Sequence, residues 1–194
     1  MILGIFGIGP VELLVVGIVA LLMIALPVAV VVAVVILVRK GAAGGFQPPP
    51  PAGAPEIVRA FGPADAPISG DARWIGSELE VNADEAATQP LFELPLSGID
   101  QSMIAYRFRI QTENLKSKVY PEMWCRVVGA GEFFSRGLHQ KVRGTNNWLS
   151  VEIPFYLKKG QHGDLLKLNL VFEGPGAVRL RDIEVLATPL AASV

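Results

Sequence analysis

Hydrophobic positions follow two different rules along this chain. From Leu13 to Val38 the sequence LLVVGIVALLMIALPVAVVVAVVILV carries no charged side chain. As a helix rising ~1.5 Å per residue, that run of about 26 residues spans ~39 Å, against a hydrocarbon core of ~30 Å. The pattern predicts one transmembrane α-helix over about residues 13–38, with Pro27 as a place to kink. No Lys or Arg precedes the run, and it is too long for the apolar region of a signal peptide, which argues against cleavage. From about Arg73 onward, apolar residues instead alternate with polar ones in short segments. RWIGSELEVN, QPLFELPL, MIAYRFRIQT, EMWCRVVG, EFFSRG, WLSVEIPFYL, LLKLNLVFEG and AVRLRDIEVL read as eight strands. NADE, LSGID, TENLKSK, GAG, RGTNN, KKGQHGD and GPG read as the turns between them.

The two-residue period is clearest in three sets: Ile104, Tyr106, Phe108 and Ile110; Leu149, Val151, Ile153 and Phe155; and Leu166, Leu168, Leu170 and Phe172. No stretch in this region offers a long helical stripe. The expectation is an all-β domain, an eight-stranded antiparallel jelly-roll β-sandwich, preceded by one transmembrane α-helix. The predicted organisation is an anchor over 1–40, a Pro/Gly-rich linker and lead-in over 41–72, the sandwich over 73–188 and a tail over 189–194. Within the linker, Pro48 to Pro51 favour an extended polyproline spacer that holds the domain away from the bilayer. A proline-rich ligand for an SH3-like domain is the other reading of that stretch.

Composition refines this picture. The 194 residues are 51% hydrophobic, and the excess lies in the first forty. The net charge is −1, with no basic block beyond Arg39 and Lys40, so nucleic acid is not an expected partner. Arg39 and Lys40 follow the apolar run while Glu12 precedes it, which favours a cytoplasmic C-terminal domain; the alternative is a periplasmic or extracellular one. A single cysteine excludes an internal disulfide and fits a reducing compartment, as it fits many exported proteins.

Phe6 to Leu22, FGIGPVELLVVGIVALL, resembles the start of the A-type subunit of the twin-arginine translocase, where Gly-Pro-x-Glu-Leu opens a short membrane helix. No Phe-Gly hinge and no basic amphipathic helix follow, so the resemblance does not extend to protein translocation. It agrees with an outside N-terminus. A second resemblance covers most of the alternating region. YRFRIQTENLKSKVYPEMWCRV, VRGTNNWLSVEIPFYL and LKLNLVFEGPGAVRLRDIEVL resemble, in order, paired strands, a Gly-Thr-x-x-Trp strand opening and the closing hairpin of one jelly-roll family. That family occurs beside some AraC-type regulators and in other bacterial multidomain proteins. The resemblance implies a galactose-binding-like fold, shared with many carbohydrate-binding modules, without fixing a function.

Candidate chemistry is sparse. His139 and His162 fall in predicted loops, and neither stands at metal-ligand spacing from another ligand residue. Cys125 has no CxxC partner, and alternation places it with Met123 and Val127 on the apolar face, which disfavours a Cys125–His139 nucleophile. Asp84, Glu85, Asp182 and Glu184 lack the spacing of a calcium loop and read as solvated sheet edges, a structural Ca²⁺ being the other reading. No enzymatic activity, cofactor or metal is expected. What remains is a binding face. In a jelly roll EMWCRVVG lies between EFFSRG and LLKLNLVFEG, so Trp124 and Arg126 point outward beside Lys167, Asn169 and Glu173. One of the two phenylalanines, taken as Phe133, joins them, the alternative being Phe134. An aromatic ring among Arg, Lys and Asn suits a sugar or a protein partner equally. The third reading is a Trp124 covered by its neighbours or by Glu56–Gly70. The expectation is a membrane-anchored, non-catalytic module for ligand or protein binding, with an outward-facing carbohydrate-binding module as the alternative and an enzyme of unrecognised site as the next.

Overall fold

A computed structural model describes residues 48–191. The predicted membrane helix, Arg39 and Lys40 lie outside the described residues, and among those described no helix is long and apolar enough to cross a membrane. The described residues form nine strands: β1 (Glu56–Phe61), β2 (Ala72–Ile75), β3 (Glu78–Ala83), β4 (Ala87–Pro95), β5 (Ser102–Val127), β6 (Gly131–Arg136), β7 (Val142–Tyr156), β8 (Gly163–Phe172) and β9 (Gly176–Pro189). One 3-10 turn, Leu138–Gln140, precedes β7.

Every strand pairing is antiparallel, and β5 takes part in four of the eight. Its first part, from Ser102 to Thr112, lies between β9 and β7. Its last part, from Val119 to Val127, lies between β8 and β6. One layer therefore runs β2-β3-β9-β5-β7, with β1 following β3 along the same edge of β9. The other runs β4-β8-β5-β6. Apolar side chains from both layers meet in one core, including Ile104, Tyr106, Phe108 and Ile110 from β5, Val151 and Ile153 from β7, and Leu166, Leu168, Leu170 and Phe172 from β8. Each set comes from every second residue, as a half-buried strand requires. Leu149, read in the same set as Val151, is instead exposed.

The strand count departs from the expected eight in three places. EIVRAF, inside the stretch read as lead-in, pairs with β9 as an edge strand whose side chains stay mostly exposed, so burial leaves little imprint on its sequence. RWIGSELEVN folds back on itself, because Gly76 at φ 62° turns β2 into β3. TENLKSK, read as a turn, stays extended and joins two expected strands into one. Asn114 at φ 49° shifts the register there, while Leu115 and Val119 remain buried and keep pairing with β7. The closing hairpin fits around this segment: a Cβ on Gly176 would stand 2.2 Å from Leu115 Cδ1.

Tyr106 is fully buried between the layers, 5.1 Å from the Phe108 ring, and its hydroxyl has no hydrogen-bond partner. Burial pushes its ionisation far above the usual phenol range. Replacement by phenylalanine removes an unpaired polar atom and keeps the packing. Tyr106→Phe is therefore expected to stabilise the fold by about 1 kcal/mol, read as a higher denaturation midpoint; a lower midpoint would mean that the hydroxyl is bonded in solution.

Candidate functional site

The residues expected to make a binding face lie on the β4-β8-β5-β6 layer. Trp124 of β5 stands opposite Phe134 of β6 and Lys167 of β8, and Glu122 stands opposite Arg136 and Asn169. Trp124, Arg126, Lys167 and Asn169 share this face, as alternation predicts. Phe133 does not. Val127 pairs with Gly131 across a short loop containing Gly129 at φ 73°, and that register sets Phe133 opposite Cys125 and Phe134 opposite Trp124. Phe133 remains partly exposed because β6 is an edge strand. Phe134 takes its expected place, with ring centroids 5.1 Å from Trp124 and the Arg136 guanidinium carbon 4.6 Å from the Phe134 centroid.

The polar groups of this face are already engaged with one another. Glu122, only 3% exposed, accepts from Trp124 Nε1 at 2.7 Å and Asn169 Nδ2 at 3.3 Å, and pairs with Arg136. Lys167 Nζ donates to Glu132 Oε1 at 2.7 Å. Arg126 Nε donates to Asp164 Oδ1 at 2.7 Å, and that bond holds the Asp164 carboxyl below the usual carboxylate range. Glu173, expected beside them, pairs with Lys141 instead. Half-buried Trp124 thus lies in a network that leaves few polar valences for a ligand. Glu122 was missed because a glutamate on an outward strand position reads as solvated until Asn169 and Arg136 are known to flank it.

Cys125 is fully buried on the opposite face, and burial pushes its thiol up to about 11, so thiolate is scarce at neutral pH. His139 sits on the exposed 3-10 turn and His162 in an isolated bridge with Asp100. Glu184 pairs with Arg107, and Asp182 lies near Arg181. Among the described residues no group of three potential ligands stands close enough to hold a metal.

The outer face of the other layer is less self-satisfied. Arg107, Arg109 and Gln111 of β5 stand opposite Glu184, Arg181 and Arg179 of β9. Arg107 forms a two-pronged bond with Glu184, at 2.6 and 3.1 Å. One register step further, Arg109 meets another arginine, Arg181. Trp148 of β7 reaches this pair: its carbonyl accepts from Arg109 Nη2 at 3.4 Å, and its ring centroid lies 4.1 Å from the Arg181 guanidinium carbon. Beyond them opens a cleft of about 560 Å³, lined among others by Gln111, Glu113, Asn114, Asn146, Asn147 and Arg179. Asn146 is spent on Thr112 Oγ1 and the Arg143 carbonyl, and Asn147 Oδ1 accepts from the Trp148 N–H. Gln111 and Glu113 direct no side-chain hydrogen bond to the described residues. An indole beside amide, carboxylate and guanidinium groups offers stacking and hydrogen bonding together. Sequence reading missed this site because a turn prediction at TENLKSK separated Gln111 and Asn114 from the β7 residues that flank them.

No protein-family model matches the chain, and no curated protein does. Solved structures do resemble it. The CBM22-1 xylan-binding domain of Paenibacillus barcinonensis Xyn10C matches with a TM-score of 0.51 and 12% identity, over 72% of this chain and 99% of that one. Weaker likenesses include a structure described as CBM4, at TM-score 0.40 and 14% identity over 69% of this chain and 94% of its own. A family 16 carbohydrate-binding module has TM-score 0.39 and 10% identity, over 60% and 82%. The described part of this chain has the β-sandwich fold of the xylan-binding domain.

Proposed function

We propose that the described domain is a non-catalytic carbohydrate-binding module that takes a polysaccharide on the outer face of the β2-β3-β9-β5-β7 layer. One observation carries this reading: the open cleft that begins at Asn147, next in the chain to Trp148, where the unengaged Gln111 and Glu113 side chains match the hydroxyls of a sugar. The fold shared with a domain named as xylan-binding supports it by analogy. Trp124, Arg126, Lys167 and Asn169 are the second candidate face, best suited to a protein partner, because the exposed Phe134 adds an apolar anchor to a rim of charged pairs.

The membrane helix over 13–38 is part of the same proposal and rests on its uncharged sequence. A polysaccharide ligand is most useful to a domain that faces outward, against the bias of Arg39 and Lys40. Affinity electrophoresis of the full chain through gels containing xylan, mixed-linkage β-glucan or pectin tests the binding. Retarded migration in at least one gel is expected. Unretarded migration in all of them would remove the reading. Protease added to intact cells is expected to digest the domain; full protection would place it inside and favour a protein partner at the Trp124 face.

A further inference from the structure

Five of the nine arginines among the described residues are neutralised at close range. Arg73, Arg107 and Arg126 each have a carboxylate oxygen within 2.7 Å, and Arg59 and Arg136 are paired as closely. Of the other four, Arg143 has no ion pair among the described residues, Arg179 has one at 3.7 Å, and the remaining two are Arg109 and Arg181. They stand directly opposite each other on adjacent strands, an arrangement that is repulsive when nothing lies between the charges. No carboxylate among the described residues forms an ion pair with Arg109; its one recorded acceptor is the Trp148 carbonyl, at 3.4 Å. Arg181 Nε is buried without a hydrogen-bond partner, and its nearest carboxylate oxygen, on the exposed Asp182, is 3.7 Å away. Both side chains are only partly exposed, so water screens their repulsion incompletely. The neighbouring Arg107, with Glu184 across from it, shows what this pair lacks.

We infer that Arg109 and Arg181 form a carboxylate clamp beside Trp148, and that the polysaccharide bound here is an acidic one bearing uronic-acid units. The deduction rests on the carbohydrate reading above and narrows its ligand class. Two planar guanidinium groups match the two oxygens of one carboxylate, and bringing that anion between them relieves their mutual repulsion. The indole alongside covers an apolar sugar face, and the cleft at Gln111 and Glu113 receives hydroxyls of the adjoining units. A peptide carboxylate would satisfy the arginines but would leave the Gln111 and Glu113 side chains of the cleft without matching hydroxyls.

The test uses the full chain and three polysaccharides, glucuronoxylan, polygalacturonate and alginate, each in native form and with its carboxyl groups reduced to primary alcohols. Binding to at least one native polymer is expected to be tenfold or more tighter than to its reduced form. That preference is expected to disappear in Arg109→Gln and to persist in Arg126→Gln on the opposite layer. Arg109→Lys keeps the charge and the alkyl stem but loses the planar fork; it is expected to lose most of the preference and carries the test if the glutamine variant fails to fold. Equal binding of native and reduced polymers overturns the clamp and leaves the carbohydrate reading standing. An undiminished preference in either Arg109 variant also overturns it. Poly-glutamate bound as tightly as the best polysaccharide overturns the assignment to uronic acids. Absence of binding to every polymer, neutral ones included, overturns both readings together.

Discussion

Glu122→Ala is expected to lower the stability of the domain by about 2–4 kcal/mol. This carboxylate is nearly inaccessible and gathers three donors, from Trp124 and Asn169 and from the Arg136 guanidinium. Two of the three partners stand on the strands flanking β5, so the bonds stitch β6, β5 and β8 side by side. Truncation leaves the indole N–H and the buried Asn169 amide without their acceptor. The Arg136 side chain is 41% exposed and can return to water, which keeps the cost below that of a fully buried unpaired charge. Glu122→Gln retains one carbonyl acceptor and is expected to lose about half as much. Denaturant midpoints of the three proteins, with unchanged slopes, check the order. A Glu122→Ala protein as stable as the parent would mean that the network is dispensable.

Trp148→Ala is expected to cut polysaccharide affinity about 10-fold, the equivalent of about 1.4 kcal/mol, since only the part of the ring left open by Arg181 is there for ligand to cover. The indole is half-buried and stacks on Arg181, so truncation removes both the sugar platform and the surface that positions one arginine. The cost to folding is expected to be smaller than for Glu122→Ala, because the ring lies on the outer face and not between the layers. Trp124→Ala is the matched comparison, an aromatic of similar exposure on the other layer, and is expected to leave polysaccharide binding unchanged. Affinity electrophoresis of both variants decides it. Equal loss in the two would point to a general effect on the fold, and loss in Trp124→Ala alone would move the site to the other face.

Strands whose two faces see different surroundings were legible in the sequence. β8 lies between two neighbours over the core, and its alternation of Leu166, Leu168, Leu170 and Phe172 marks that burial without ambiguity. The position of EMWCRVVG between its two neighbours also follows from the expected winding. Phase across a hairpin is another matter. One residue in the Val128–Ala130 loop decides whether Phe133 or Phe134 meets Trp124, and no side-chain pattern in EFFS distinguishes them, since both rings are exposed. Edge strands suffer similarly: β1 buries almost nothing, so its residues carry little core signal. The opposed arginines were the least accessible feature. Arg109 and Arg181 are 72 positions apart in the numbering, and the Asp182 bulge at φ 52° shifts the register that brings them together.

A 26-residue strand that pairs with β6, β7, β8 and β9 has a consequence for how the domain comes apart. Neither layer is independent of the other, because an interior strand of each is a different stretch of the same β5. Opening of one layer pulls on the register of the other, and the two cannot behave as separate foldons. The partners of β5 all follow it in the chain, and the last of them closes on its first residue (Ser102 opposite Pro189), which gives the domain slow, strongly non-local assembly. Its unfolding is accordingly a single cooperative event, with the candidate cleft lost together with the core beneath it.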